Sequence, residues 1–329
     1  MKAILLAGGK GTRLRPLTIH TPKPIVPIFN RPFLHYQIDL LKQVPEIDEV
    51  ILSLNYQPRR VEEIFGDGSE LGIKIRYVVE PAPLGTAGAI KYAGDQLTES
   101  VVVFNGDVLT PVDNPTAYGL VDTDPDGNIR RFLEKPNPDE ITTNNINAGI
   151  YVLEPDTFDR IPSNVPWSIE RSYFPSLIER RETFVAYVYN GYWIDIGTPG
   201  KYTQVHRDIM DGRYAAEPFR DIAAPRTWIA ADAKIEEGAT VEGPCFIDEG
   251  TLIKAGAKIG PYSVIGRQTQ IEEDAVISGA VIWPNCRISR EACIRDAIVG
   301  RHCHIGRNVT VNSGAVLGDK TTLTDFTKA

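Results

Sequence analysis

After Ala7 a short apolar run gives way to Gly8-Gly9-Lys10-Gly11-Thr12-Arg13. Glycines let a backbone approach a ligand closely and turn amide donors outward, which suits a phosphate. Arg13 and, further on, Lys23 supply positive charge to neutralise it. The turn is not a Walker A loop, since no G-x-x-x-x-G-K-[ST] is present. It also lacks the third glycine of the dinucleotide fingerprint G-x-G-x-x-G. Taken alone, a glycine turn answers equally to plain loop geometry.

Such a turn needs a scaffold, and the two ends of the chain read differently. Up to about residue 210, short aliphatic runs (4–6, 50–54, 73–79 and 101–104) alternate with helix-like stretches at 32–43, 58–65 and 86–97. Alternation of this kind predicts an α/β domain, a mostly parallel sheet with helices on both faces. Ligands of such sheets sit at the carboxyl ends of the strands. From Trp228 onward an aliphatic residue recurs every six positions, from Ile229 through Ile277. The series slips by one at Ile282 and again at Val299, then runs on to Leu323. A six-residue period fits neither helix nor hairpin and predicts a parallel β-helix of hexapeptide repeats. The expected organisation is a catalytic domain over 1–210, a linker over 211–226 and the β-helix over 227–329.

The 329 residues carry a net charge of −8 and an apolar share of 42%. That balance argues against a nucleic-acid partner, whose binder would be basic, and against docking to an anionic membrane. No run of 18 apolar residues appears, so no membrane-spanning helix is expected. The four cysteines show no CxxC spacing, and Cys245, Cys286 and Cys303 fall on the small inward position of the repeat. A reduced, cytoplasmic protein follows.

Read further, Gly8 to Thr18 followed by Pro22-Lys23-Pro24 resembles the signature of the sugar-phosphate nucleotidyltransferases. Four more blocks resemble that family in its order. They are Asn105-Gly106-Asp107, Glu134-Lys135-Pro136, Asn147-Ala148-Gly149-Ile150-Tyr151 and Trp193-Ile194-Asp195-Ile196-Gly197-Thr198-Pro199. The family implies a Rossmann-like sheet and a left-handed β-helix. The block Pro83-Leu84-Gly85-Thr86-Ala87-Gly88 is most similar to the mannose-1-phosphate guanylyltransferase branch.

The resemblance implies attack by a sugar 1-phosphate, most readily mannose 1-phosphate, on the α-phosphorus of a nucleoside triphosphate, most readily GTP. Both reactants are anions, so a Mg²⁺ cofactor is expected, with Asp107 and Asp195 as its ligands. Arg13 and Lys23 would hold the triphosphate. Leu6, Ala7, Gly8, Gly9, Gly11, Thr12, Gly85, Thr86, Asn105 and Gly106 would line the nucleotide. Glu134, Lys135, Asn147 and Gly149 would take the sugar phosphate.

In one place the chain departs from the family. Relatives carry a strand–helix unit after the Gly-Asp block, whereas here Val108-Leu109 leads directly into Thr110-Pro111. A parallel crossover needs a dozen or more residues. Either the chain lacks this unit or the sequence omits a stretch between Val108 and Leu109. Omission is the expectation, because a deletion would strip the sheet beside Asp107. The same chemistry with UTP or dTTP and glucose 1-phosphate is the nearest alternative. A regulatory paralogue that binds nucleotide sugar without catalysis is another, although such a protein should have lost Arg13, Lys23 or the aspartates. An acyltransferase role for the β-helix would rest on His302 and His304, both placed as surface coil residues. Solenoid ends leave strand edges to be covered, so a homo-oligomer through the β-helix is expected.

Overall fold

The computed structural model describes residues 1–106, 108–109, 119–135, 137, 139, 143 and 145–329. Asp107 and Pro136 lie outside them. Contacts divide the described chain into two compact units, Met1–Lys10 with Gln37–Asp195, and Gly11–Tyr36 with Ile196–Ala329. Position 210 falls within the second unit, and the glycine turn is divided after Lys10.

In chain order the main elements up to residue 211 are β1 (Lys2–Leu6), β2 (Pro27–Ile28), β3 (Arg31–Pro32), α1 (Phe33–Leu41), β4 (Glu49–Leu54), α2 (Pro58–Phe65), β5 (Lys74–Val79) and α3 (Gly85–Gly94). There follow β6 (Val101–Asn105), β7 (Val108–Leu109), β8 (Gly119–Thr123), β9 (Ile129–Glu134), β10 (Ile150–Leu153), α4 (Phe174–Glu179), β11 (Ile194–Asp195) and α5 (Pro199–Asp211).

The first unit is built on a sheet of order β10-β6-β1-β4-β5. β1 pairs in parallel with β4 and β6, and β4 with β5, while β10 is antiparallel to β6. Every residue of β4 is buried, as expected for a strand covered on both faces. Helix α2 starts with Pro58 in its first turn, stops at Gly66 and buries Val61 and Phe65, four residues apart on one face. Ala87, Ile90 and Ala93 of α3 pack with Ile4, Ile51, Val101 and Val103 of the sheet. Between β6 and β8 the described residues contain no helix. They contain only β7, which pairs antiparallel with β11.

The second unit contains the expected left-handed parallel β-helix, with strands in three parallel sheets of six, six and five. Coil stacks on coil in register, Ile247 on Ile265, then Ile282, then Val299. These side chains form one apolar core with Cys245, Cys286 and Cys303, and all four cysteines are free. From Gly250 to Lys320 one residue per corner has positive φ, six apart except before Gly279 and Asp296. There one side of the coil is a residue short, which accounts for the two slips in the repeat. Helix α5 precedes the coils. Thr198 caps it by accepting from the Lys201 N–H at 3.4 Å, and Gly212 ends it at φ 79°. Among the described residues no helix is long and apolar enough to cross a membrane.

Candidate active site

In the first unit, Leu6 and Asn105, two of the residues expected to line a nucleotide, lie at neighbouring strand ends. Leu6, at the end of β1, is the register partner of Asn105, at the end of β6. The Gly106 N–H donates to Leu6 O at 3.0 Å, and a Cβ on Gly106 would lie 2.3 Å from that oxygen. Only glycine allows so close a backbone approach. The Ala7 N–H donates to Ser53 O on β4. Gly8 lies against Glu80, where a Cβ would meet Glu80 Oε1 at 3.1 Å. Gly9 is exposed. Gly85, at φ 70°, backs onto the Trp167 backbone, where a Cβ would be 2.7 Å from the carbonyl oxygen.

Two of the residues expected at the sugar phosphate, Asn147 and Gly149, lie beside Asn105. The Asn105 N–H donates to Gly149 O at 2.8 Å, and Gly149 (φ 70°) has no room for a Cβ against Asn105 Nδ2. Asn147 accepts from the Gly149 N–H at 3.1 Å and donates to Tyr151 Oη at 2.8 Å. Trp193 Nε1–H donates to Ala148 O and steadies the same turn. Glu134, at the end of β9, is half-buried, whereas Lys135 is exposed.

Glu170 joins this group, although no motif pointed to it. Its Oε2 accepts from Thr86 Oγ1 at 3.0 Å and from Ser168 Oγ at 2.9 Å. Thr86 Oγ1 also accepts from the Ile169 N–H, which ties its side chain to the helical turn Ile169–Tyr173 that carries Glu170. Burial, and then the charge of Glu170, raise the Glu134 carboxyl above its ordinary value. Burial, reinforced by Glu170, lifts Tyr151 well above the usual phenol range. Two carboxylates thus converge on one polar wall, a suitable pair of acceptors for hydroxyl groups. The one sequence cue was Ser168, which accepts from the Arg171 N–H and caps the turn that carries Glu170.

Asp195 ends β11 and is 9% exposed. Its register partner is Val108, the residue that follows Asp107 in the chain. The backbone pairing therefore brings Asp195 opposite the neighbour of the second expected ligand. Asn105 Oδ1 is buried with no hydrogen-bond partner among the described residues. Carboxylate and amide oxygens are the donors a hard cation takes, so the chemistry of these residue types suits Mg²⁺.

The cationic residues belong to the second unit. Gly11 (φ 60°) opens the turn Thr12–Leu14, and Thr18 Oγ1 donates to Gly11 O at 2.7 Å. A Cβ on Gly11 would sit 3.2 Å from Lys23 Cβ, so these segments form one block. Lys23 is buried, while Thr12 and Arg13 are exposed.

Residues 2–112 and 108–212 match the nucleotidyl transferase family, and residues 241–327 match the GMPPB C-terminal domain. Mannose-1-phosphate guanylyltransferase of Mycobacterium tuberculosis is 35% identical over 305 residues, covering 85% of this chain and 82% of that protein. UTP–glucose-1-phosphate uridylyltransferase of Synechocystis is 31% identical over 327 residues, covering 88% and 84%. HddC from Yersinia pseudotuberculosis, complexed with GMP-PN, aligns with a TM-score of 0.53 at 28% identity, covering 63% of this chain and 99% of that one. The two nucleotidyl transferase matches overlap at 108–112, where the chain runs straight past the expected crossover. In agreement, 85% of 329 residues cannot fill the 305 positions aligned with the mycobacterial protein.

Proposed function

As this chain belongs to the nucleotidyl transferase family, we propose that it transfers GMP from GTP to mannose 1-phosphate, releasing pyrophosphate. The observation that carries this reading is the packing of the Leu6 and Asn105 strand ends beside the polar wall of Asn147, Tyr151, Glu134 and Glu170. The relatives named as guanylyltransferases support the choice of base and sugar. The uridylyltransferase relative supports UTP with glucose 1-phosphate as the second reading.

A sugar phosphate oxygen attacks the α-phosphorus in line, and pyrophosphate leaves with the electrons of the broken P–O bond. The attacking oxygen is already ionised near neutral pH, so no base is assigned. Charge neutralisation dominates the barrier. Asp107 and Asp195 would hold Mg²⁺, which when bound neutralises phosphate charge. Arg13 and Lys23 grip the triphosphate, and Lys135 takes the sugar phosphate. Glu134 and Glu170 accept from sugar hydroxyls, with Asn147 and Gly149 lining that pocket. Gly85 and Thr86 face the base, with Leu6, Ala7 and Gly8 along the same wall. Four free cysteines are in keeping with a reduced, cytoplasmic setting.

The test is pyrophosphate release with GTP, UTP, dTTP and ATP crossed against mannose and glucose 1-phosphates. The highest kcat/KM is expected for GTP with mannose 1-phosphate. Preference for UTP or dTTP with glucose 1-phosphate would favour the second reading, and no turnover with any pair would overturn both.

A further inference from the structure

The segment that carries Gly11, Arg13 and Lys23 is held within the second unit at both of its flanks. At the near flank, Gly318 in a late coil of the β-helix lies against Pro16, where a Cβ would be 3.0 Å from Pro16 Cβ. At the far flank, two buried hydrogen bonds reach from α5 to the residues just past Lys23. Tyr202 Oη–H donates to Pro27 O at 2.5 Å, and the Phe29 N–H donates to His206 Nε2 at 3.2 Å.

These two α5 residues are fixed in their turn. Trp283 Nε1–H, from the β-helix, donates to Tyr202 Oη at 2.9 Å, so the phenol uses its oxygen as acceptor and its proton as donor. Trp283, Tyr202 and His206 are all at most 1% exposed. His206 Nδ1 lies 2.8 Å from Tyr202 O, one turn back in the helix. A carbonyl can only accept, so Nδ1 carries the proton and Nε2 is left to receive the Phe29 N–H. Phe29 adopts φ 54° and is clasped by the rings of His206, Phe219 and Phe246. A phenylalanine held in the left-handed region is over-determined by its surroundings.

We propose that Tyr202 and His206 are positioning residues that hold Pro27 and Phe29, and through them fix the Arg13 and Lys23 segment on the β-helix. The inference rests on the reading that this segment grips the triphosphate. Its physical basis is that a charged grip works only when pre-organised, and a shift of about 1 Å in a reacting group can cost roughly 10²-fold. The β-helix is then part of the catalytic apparatus as the mount of the phosphate grip. Trp283 is the link by which a change in the coils is felt at Lys23.

The test compares Tyr202→Phe, His206→Leu and His206→Gln with the unaltered protein. A glutamine side chain offers an acceptor near the position of the imidazole Nε2, so His206→Gln is the rescuing change. For Tyr202→Phe and His206→Leu, KM for the triphosphate is expected to rise about tenfold, as for the loss of one buried hydrogen bond. KM for the sugar 1-phosphate should stay within about twofold, and His206→Gln should recover most of the loss. Amide hydrogen exchange should quicken in peptides of 11–36 and stay unchanged in 74–105. Equal changes in both KM values, or lowered thermal stability with both unchanged, would reduce these residues to general packing and overturn the inference. Should a variant misfold, His206→Gln and the exchange pattern of the other variant still decide it. A wild-type protein with no turnover would instead overturn the functional reading on which the inference stands, an outcome read before any variant is compared.

Discussion

Replacing a buried carboxylate by its amide changes charge with almost no change in shape, and Asp195 offers that substitution. Asp195→Asn is expected to lower kcat by about 10²-fold or more at saturating Mg²⁺, while the melting temperature moves by only a few degrees. Steady-state kinetics beside a thermal melt checks it, and near-normal turnover would remove Asp195 from the metal site. Asp107→Asn should behave in the same way. Asp195, Asn147 and Gly149 could be named as candidates from the sequence because each sits in a short contiguous block whose order resembles a known family. Glu170 was not legible. Its place depends on Thr86, 84 residues earlier in the chain, and on Glu134, so it arises only when α3, the helical turn and β9 pack together. Its own neighbours in sequence announce nothing more than a capped helix.

Helix α5 shows how much a single stretch can hide. Its start could be read from Thr198-Pro199, a cap followed by a proline in the first turn. Its burden could not, because Pro27 and Phe29 are 175 and 177 residues away from Tyr202 and His206. Burial without a compensating charge pushes His206 down to about 4 from the ordinary 6.5. The folded protein therefore binds fewer protons than the unfolded chain between those two values. The stability tied to this group is present in full above about pH 6.5 and is lost as pH falls towards 4, on the order of 3 kcal/mol in all. Urea unfolding from pH 7 to pH 4 should show that loss, and His206→Gln should flatten it. An unchanged slope in the variant would assign acid sensitivity elsewhere. The strands β1, β4, β5 and β6 were legible for the opposite reason. Each is a short run rich in aliphatic residues that forms its strand from this local pattern, although Lys74 and Val79 at the two ends of β5 stay exposed.

The two-part organisation was readable from the change of period, but the path of the chain between the parts was not. Residues 11–36 look from the sequence like a continuation of the first domain, yet they pack with Ile196–Ala329. The signal lies in aromatic and backbone partners far along the chain. The coils themselves were legible almost residue by residue, because each inward aliphatic side chain meets its equivalent one coil on. Their end is a different matter. Ile229 and Ile235, the first two of the series, are 40% and 39% exposed, whereas their successors from Ile247 to Val311 are buried. An apolar first coil of this kind is expected to be covered by a second copy of the chain. Light scattering at micromolar concentration should give a mass of at least twice 36.4 kDa. A monomer mass would leave the coil end bare and contradict this.

Transfer of the nucleotidyl group itself is open to direct measurement with mannose 1-phosphate carrying ¹⁸O in all its non-bridging phosphate oxygens. Attack by that phosphate on the α-phosphorus predicts that the label stays with the nucleotide sugar, one labelled oxygen becoming the new P–O–P bridge, while pyrophosphate is released unlabelled. Label in the released pyrophosphate, or release of orthophosphate in its place, would contradict nucleotidyl transfer by this protein.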